Sequence, residues 1–524
     1  MAITPELPGS PAIPNSKTAE SVVNPAIPVS KTAEAAASPV IPISKTAETA
    51  AAAAIPNSLT SETAVSPAIP VSKTAESAIA PSIPVSKTAE SVASPAIPTS
   101  KTAVTGAAVP RALTPLVDMH FDSEQYSQNG SPVTFADLFT FTRSSTGTYL
   151  GRDIVNNKAV YTVKTALANV LRIEYDAATG ENLGALIEGA STNLQIRSEE
   201  FDDAAWVKTN SSITANDTEA PDGTVSGDKL VENSATATHQ ILDAVTLTAS
   251  TPTTLSVYAK QAERTQVRIE TVSLAISATF NLDDGTLALT SGSPDSTSIQ
   301  SVGNGWFRVS VTFDSGAGGV NNIRILPALA DGASYLGDGA SGLYIWGAQV
   351  EEQPFATSYI GPTLGSSVAR VADDLSIENA GNIPNSGNFS SHLKSRVELL
   401  TGGSGLSRYM YRITADSGFG LNRIKTDSDL DAAHGSDFSI TAVEGVFSRD
   451  FTSTVIFNAG ANNISGYVDG SLGASVDAGS LFQPDQSSTC SIGSDTLGAG
   501  HLFGHIKELS IYEEALSAQE VALL

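Results

Sequence analysis

Two unrelated hydrophobic patterns divide the chain. In the first, apolar positions recur every 14 residues: from Pro11 to Ala108 the unit P-x-I-P-x-S-K-T-A-E runs seven times in unbroken register. One isoleucine per unit is held between prolines, at Ile13, Ile27, Ile41, Ile55, Ile69, Ile83 and Ile97. Ala53 replaces the leading proline of the fourth copy, Leu59 its lysine, and Val104 the glutamate of the seventh. The residue before each proline is pushed out of the helical region, so P-x-I-P predicts an extended or polyproline-II stretch. The serine that follows can cap a short tract K-T-A-E before the next unit stops it. Fourteen is two heptads, but two prolines per period exclude a coiled coil.

The second pattern, from residue 117 onward, is alternation at period two, which marks half-buried strands. Predicted strands are Val117–Phe121, Phe139–Arg143, Thr148–Tyr149, Leu171–Tyr175 and Gly184–Gly189 in a first block. Thr254–Ala259, Val267–Thr271, Trp306–Phe313 and Leu343–Gly347 form a second, and Ile464–Gly470 and Gly504–Tyr512 a third. Asp283-Asp-Gly285 and Asp469-Gly470 read as hairpin turns. Ser517 with Glu520 three residues on is a capping box for one short terminal helix. Strands spaced by such turns predict a mainly β protein built of sandwiches. The expected domains are a repeat arm at 1–110, a small β-rich connecting domain at 111–195, and β-sandwiches at 196–370 and 371–524.

Composition explains why the arm must differ from the rest. Residues 1–110 hold no Phe, Trp, Tyr, His, Cys or Asp, and 16 of the 26 prolines. One or two isoleucines per unit cannot offset roughly 1–2 kcal/mol of backbone entropy per residue, so the arm does not fold alone. It is either a Pro/Ala/Ser spacer or a segment ordered by partners. An unbroken register favours the second, because a spacer needs only composition. The isoleucines are then the partner-binding residues, and seven equal units call for a partner that itself repeats.

Charge and cysteine narrow the function. With 29 Lys+Arg against 55 Asp+Glu the net charge is −26, which argues against an electrostatic grip on nucleic acid or an anionic bilayer. No apolar run is long enough to span a membrane. The lone Cys490 leaves no disulfide framework and no Cys-built zinc site, and the expectation is no metal and no cofactor. The opening Met1-Ala-Ile-Thr-Pro-Glu-Leu-Pro8 lacks a basic and an apolar signal region, so no secretion signal is expected.

Candidate chemistry mostly dissolves on inspection. Gly337-Asp-Gly-Ala-Ser-Gly342 fits G-x-G-x-x-G but lies between strand patterns with no βαβ unit, and reads as a loop. Asp427, Asp429 and Asp431 have the spacing that opens an EF-hand loop, yet Ala432 and Phe438 stand where glycine and glutamate are required, so the segment reads as a surface acidic turn, with a weak calcium site as the alternative. Adjacent acids such as Glu199/Glu200 and Asp373/Asp374 point to opposite faces of a strand. No catalytic constellation emerges, and the chain is expected not to be an enzyme. Trp306 and Trp346 sit in alternating strands and read as core, while Trp206 follows an acidic turn and reads as the more exposed.

The motif residues resemble a known class. Phe141-Thr-Arg-Ser-Ser-Thr-Gly-Thr-Tyr149, Gly184–Asn193 (GALIEGASTN), Ser198-Glu-Glu-Phe201 with Trp206, Gly347-Ala-Gln-Val-Glu351 and Phe355–Ile360 (FATSYI) resemble phage virion fibre and head-spike proteins. Trp206–Tyr359 is similar to their jelly-roll carbohydrate-binding modules. The chain from about 375 is similar to laminin-G/concanavalin-like lectin domains, through Tyr467-Val-Asp-Gly470 and Gly504–Ser517 (GHIKELSIYEEALS). The resemblance implies two jelly-roll domains and a virion-exterior fibre or spike, on head or tail. It implies a homotrimer, fixed by its repeats to a capsid or tail protein and displaying lectin-like domains toward host-surface glycans. It makes Trp206 structural. The competing expectations are a secreted or surface bacterial glycan-binding protein, and a decorative virion protein that binds no receptor.

Overall fold

The computed structural model describes the chain from residue 113, apart from 330–331, 362–364, 386, 398–407, 414–419, 425–429, 434–449, 460, 462, 478–483 and 495–499. The repeat arm with its seven isoleucines lies outside the described residues, as do Asp427, Asp429 and the side chain of Asp431. Ala112–Leu524 form one unit. Among the described residues it is almost entirely β, with short helices at Phe135–Leu138 and Ala518–Val521.

One sandwich is built from both ends of this unit. Its larger sheet runs Ser131–Val133, Gln125–Gln128, Val117–His120, Gly504–Tyr512, Phe389–Val397, Asp450–Asn458, Asn463–Val468, Ser471–Asp477. The closing strand Gly504–Tyr512 is the hub. Phe389–Val397 pairs along one side, while Val117–His120 and Asn182–Ile187 share the other, and Arg172–Tyr175 extends the last of these. The facing sheet is Phe139–Thr142, Asp374–Glu378, Thr489–Ile492, Tyr411–Ile413. Alternation supplies the core: Val117 and Met119, Ala185 and Ile187, Leu393 and Val397, and Ile506, Leu509 and Ile511 are all buried between the sheets with Phe139, Phe141, Leu375 and Ile377.

The expected connecting domain at 111–195 is therefore not separate: apart from the hairpin Gly147–Val155/Lys158–Ala166, its longer strands belong to the sheets of the C-terminal sandwich. Local alternation reveals a strand but not which distant strand it joins.

The second sandwich is inserted into the first. Ser191–Asn193 and Val368–Arg370 pair antiparallel, Asn193 opposite Val368, so the chain leaves and returns side by side. Between them lie two six-stranded sheets in jelly-roll fashion. One runs Val207–Thr209, Gln240–Leu247, Gly319–Ala328, Gln266–Thr271, Ile276–Asn281, Thr286–Ser291; the other Ser211–Glu219, Val225–Glu232, Gly342–Glu351, Pro252–Gln261, Trp306–Asp314, Ser296–Gly303. Val257, Val309, Val311, Phe313, Ile323, Ile325 and Ile345 fill the space between.

Local signals are realised where they were read. Gly285 takes φ +71° in the turn between Ile276–Asn281 and Thr286–Ser291. Ser517 and Glu520 cap each other's backbone at the terminal helix. The G-x-G-x-x-G segment is a loop between Ser334–Leu336 and Gly342–Glu351. Gly184 is obligatory: at φ +84° a Cβ there would meet the Ile506 carbonyl at 2.3 Å, inside the pairing with the closing strand.

A buried ionic cluster locks the insertion point. Arg143 bonds Asp373 Oδ1 at 2.9 Å, Arg172 spans Asp373 Oδ2 and Glu188 Oε2 (2.7 Å to the latter), and Arg370 Nη1 lies 2.9 Å from Glu188 Oε2. Ser358, returning from the inserted sandwich, donates to Glu188 from its amide and hydroxyl, both at 2.7 Å. Burial alone would raise the Glu188 carboxyl; Arg370 and Arg172 with the Ser358 donors override it and hold it at about 2.

Candidate functional site

The two sandwiches enclose a polar cleft of about 270 Å³. One wall is the outer face of the inserted sandwich. In Trp306–Asp314 the inward residues Val309, Val311 and Phe313 are core, so period two turns Arg308, Ser310 and Thr312 outward. Their cross-strand partners on Ser296–Gly303 are Gln300, Ser298 and Ser296, which gives a face of hydroxyls and amides with one arginine.

The other wall follows the same logic. Ala185, Ile506 and Val397 point into the C-terminal sandwich, so Leu186, His505 and Arg396, paired in one row across three strands, point out into the cleft. His505 Nε2 lies 2.8 Å from Glu174 Oε2, and Glu174 Oε1 accepts from the Leu150 amide at 2.8 Å. Thr357, Ser358 and Glu188 line the end nearest the ionic cluster. Phe355 and Phe503 meet edge to face with centroids 4.9 Å apart on its lining. Gly189 leaves the room for Phe503, since a Cβ there would lie 2.5 Å from its ring. Dense hydroxyl and amide groups beside the half-buried Phe355 suit a polyhydroxylated ligand.

A second hollow of about 290 Å³ is bordered by Glu199, Asp222, Trp346, Tyr359 and Arg370. Burial pushes the Glu199 carboxyl up to about 7, with Asp222, Glu200 and Asp228 adding to the rise and the Tyr359 hydroxyl, 2.8 Å away, opposing it. Trp346 and Tyr359 are only 2% and 3% exposed, so neither offers a face for a sugar ring to stack on. The raised carboxyl has a consequence for stability. A carboxyl with a higher pKa folded than unfolded helps the fold only while protonated: the contribution is complete below its ordinary 4.5 and lost as pH rises through about 7. Glu199→Gln is expected to match the parent near pH 4 and to exceed it above pH 7 by on the order of 1–3 kcal/mol. Urea midpoints taken across that range read the difference, and parallel pH curves would refute it.

None of the three tryptophans lines the cleft. Trp206, read as the more exposed from its acidic turn and as structural from the resemblance, is fully buried, as the second reading has it. The acidic turn folds back over it: its amide bonds the Asp203 carbonyl at 3.2 Å, its indole N–H the Arg197 carbonyl at 2.8 Å, and its ring packs on Phe201. Among the described residues one group offers metal-type ligand atoms within 4.8 Å of one another, His120, Asp122 and Glu508. His120 there already lies 3.2 Å from Asp118, and Lys394 lies 3.5 Å from Glu508, so these groups have charged neighbours of their own. Arg308, Arg396 and His505 were missed in the sequence; Arg308 and His505 had a signal in their outward positions on strands that the alternation had located, whereas the strand of Arg396, Phe389–Val397, was not read from the sequence.

Residues 391–522 match the concanavalin A-like lectin/glucanases superfamily. The chain carries a lectin-like domain. The match begins within Phe389–Val397 and ends just past the terminal helix, so the lectin-like domain completes its sheet with Val117–His120 and Asn182–Ile187 from outside the matched stretch. None of the curated proteins matches the chain. Among solved structures, the chain is similar to the CBM40 of the Ruminococcus gnavus IT-sialidase bound to α2,3 sialyllactose, at 12% identity over 27% of this chain and 86% of that one, TM-score 0.23. It is similar to the native heptameric SAP-like pentraxin of Limulus polyphemus, at 16% identity over 26% and 70%, TM-score 0.21. It is also similar to the binding domain of Paraclostridial Mosquitocidal Protein 1, at 16% identity over 30% and 43%, TM-score 0.24.

Proposed function

We propose that this chain is an adhesive structural protein of a phage particle, a fibre or spike whose lectin-like domains face outward and attach to host-surface glycans. The observation that carries the glycan-binding part is the concanavalin A-like match at 391–522 on a sandwich that encloses a hydroxyl-lined cleft. The virion part rests on the motif resemblance and on the repeat arm. In this reading the arm anchors the chain to a repeating capsid or tail protein through Ile13, Ile27, Ile41, Ile55, Ile69, Ile83 and Ile97. Three copies associate, supplying burial that one thin arm lacks.

Binding without hydrolysis is part of the proposal. The cleft carboxylates are committed: Glu188 is held ionised between two arginines and cannot deliver a proton at neutral pH, and Glu174 is bound by His505 and the Leu150 amide. One observation favours a hydrolytic reading instead, the raised carboxyl of Glu199 beside Asp222. Release of reducing ends that disappears in Glu199→Gln would establish it.

The virion assignment is tested by immunogold microscopy of purified particles with an antibody against residues 371–524. Label on the head or on the tail supports it and fixes the place. Bare particles overturn it in favour of a secreted or surface bacterial glycan-binding protein. Replacing the seven isoleucines by serine is expected to abolish incorporation into particles, and normal incorporation would end the anchoring role.

A further inference from the structure

We infer that the cleft between the sandwiches accepts the carboxylate of an acidic sugar residue, a uronic or sialic type unit within a glycan, held between Arg308 and Arg396. This rests on the glycan-binding reading above and adds the ligand's charge. Within the described residues the cleft's cations and anions are not equally committed. Glu188 is neutralised by Arg172 and Arg370, Glu174 is taken by His505, and Asp176 accepts the turn amides of Ala178 and Thr179 at 2.7 and 3.0 Å.

The arginines have no such partners. Arg308 gives one nitrogen to the Thr357 carbonyl at 2.6 Å and one to the Ser256 hydroxyl at 3.1 Å and lies over the Tyr258 ring; among the described residues it forms no ion pair, and its buried Nε has no hydrogen-bond partner. Arg396 is half-buried and, among the described residues, makes neither an ion pair nor a side-chain hydrogen bond; the acid in the neighbouring strand, Asp450, is held by Lys507. Beside Arg396 in the same row stands His505, 5% exposed, whose Nδ1 is likewise buried without a partner.

A half-buried guanidinium without a counter-ion is costly unless something anionic completes it. The planar fork of arginine suits a carboxylate, while Ser298, Gln300 and Ser310 suit the hydroxyls of the same sugar. The chain's charge of −26 opposes an approaching anion only weakly inside the cleft, because at physiological salt fields fade over about 8 Å.

The test uses the full chain on an array of glucuronate-, galacturonate- and sialate-containing oligosaccharides, each beside its carboxyl-reduced neutral counterpart. At least one acidic member is expected to bind ten-fold or more tightly than its neutral twin. Arg396→Gln should erase that preference with a melting temperature at or above the parent's, since its side chain holds nothing in the fold and its uncompensated charge is removed. Arg308→Gln should weaken binding as well, at some cost to the Thr357 contact. Equal binding of acidic and neutral twins, or acidic preference untouched by Arg396→Gln, overturns the inference and leaves the glycan-binding reading standing. Silence across the array overturns both.

Discussion

Residues 371–524 expressed alone will not fold, although the lectin-family match lies wholly within them. The closing strand Gly504–Tyr512 would lose both partners on one side, Val117–His120 and Asn182–Ile187, and the smaller sheet would lose Phe139–Thr142. The core would lose Val117, Met119, Phe121, Phe139, Phe141 and Ile187, all buried. At roughly 1.5–3 kcal/mol for each large apolar side chain, that is on the order of 10 kcal/mol, as much as a domain's entire stability. An apolar sheet edge would also be opened to aggregation.

The complementary excision should succeed. Because Asn193 and Val368 are cross-strand neighbours, a short Gly/Ser turn can replace 194–367 without moving either end. That variant should keep one cooperative melt, less stable than the parent for want of the Ser358 contacts to Glu188. Circular dichroism melts of the parent, the excised variant and 371–524 decide the matter; a cooperative transition in 371–524 at the parent's temperature would refute the two-ended sandwich.

The second large effect is expected at Arg172. It is fully buried and its guanidinium joins Glu188, Asp373, the Thr148 carbonyl and the Ser358 hydroxyl. Arg172→Met keeps most of the volume but leaves two buried carboxylates with one arginine each, and removing one member of a buried charge cluster costs about 3–5 kcal/mol. The surface pair Lys164–Asp153, with side chains 30% and 52% exposed, is the contrast: Lys164→Met should cost under about 1 kcal/mol. The acid limb adds a signature. A carboxylate held at about 2 contributes stability that is complete above its ordinary 4.5 and lost as pH falls through about 2. With Arg172 gone the Glu188 carboxyl moves upward, so the acid transition of Arg172→Met should begin at higher pH. Urea titrations at pH 7 and pH 3 measure both effects, and a loss below about 1 kcal/mol at pH 7 would refute the cluster's role.

Much of this protein is local, and what is local was legible. Period-two alternation in Val117–Phe121, Thr254–Ala259, Trp306–Phe313 and Gly504–Tyr512 located strands because a strand with one face in the core must alternate, whatever it packs against. Turn chemistry at Gly285 and Gly470 and the capping box at Ser517 depend on neighbours three or four residues away. The 14-residue register of the arm is likewise a property of sequence alone.

What the tertiary structure decided is everything that joins distant residues. Alternation does not name a strand's partner, so it could not tell that Val117–His120 lies beside Gly504–Tyr512, or that the middle sandwich is an insertion. It turned Arg308 and His505 outward and missed the strand of Arg396, and only packing of one sandwich on the other changes an outward face into a cleft wall. The exposure of Trp206 misled for the same reason, because an acidic turn reads as solvent until the fold lays it across the ring. Arg143, Arg172 and Arg370 drew no reading from the sequence, since a single sequence carries no sign that Asp373 and Glu188 wait more than a dozen to some two hundred residues away. Patterns over a few residues follow from backbone periodicity and were open to reading; charge pairing, burial of polar groups and the binding cleft arise from long-range contacts, and those exist only once the chain has folded.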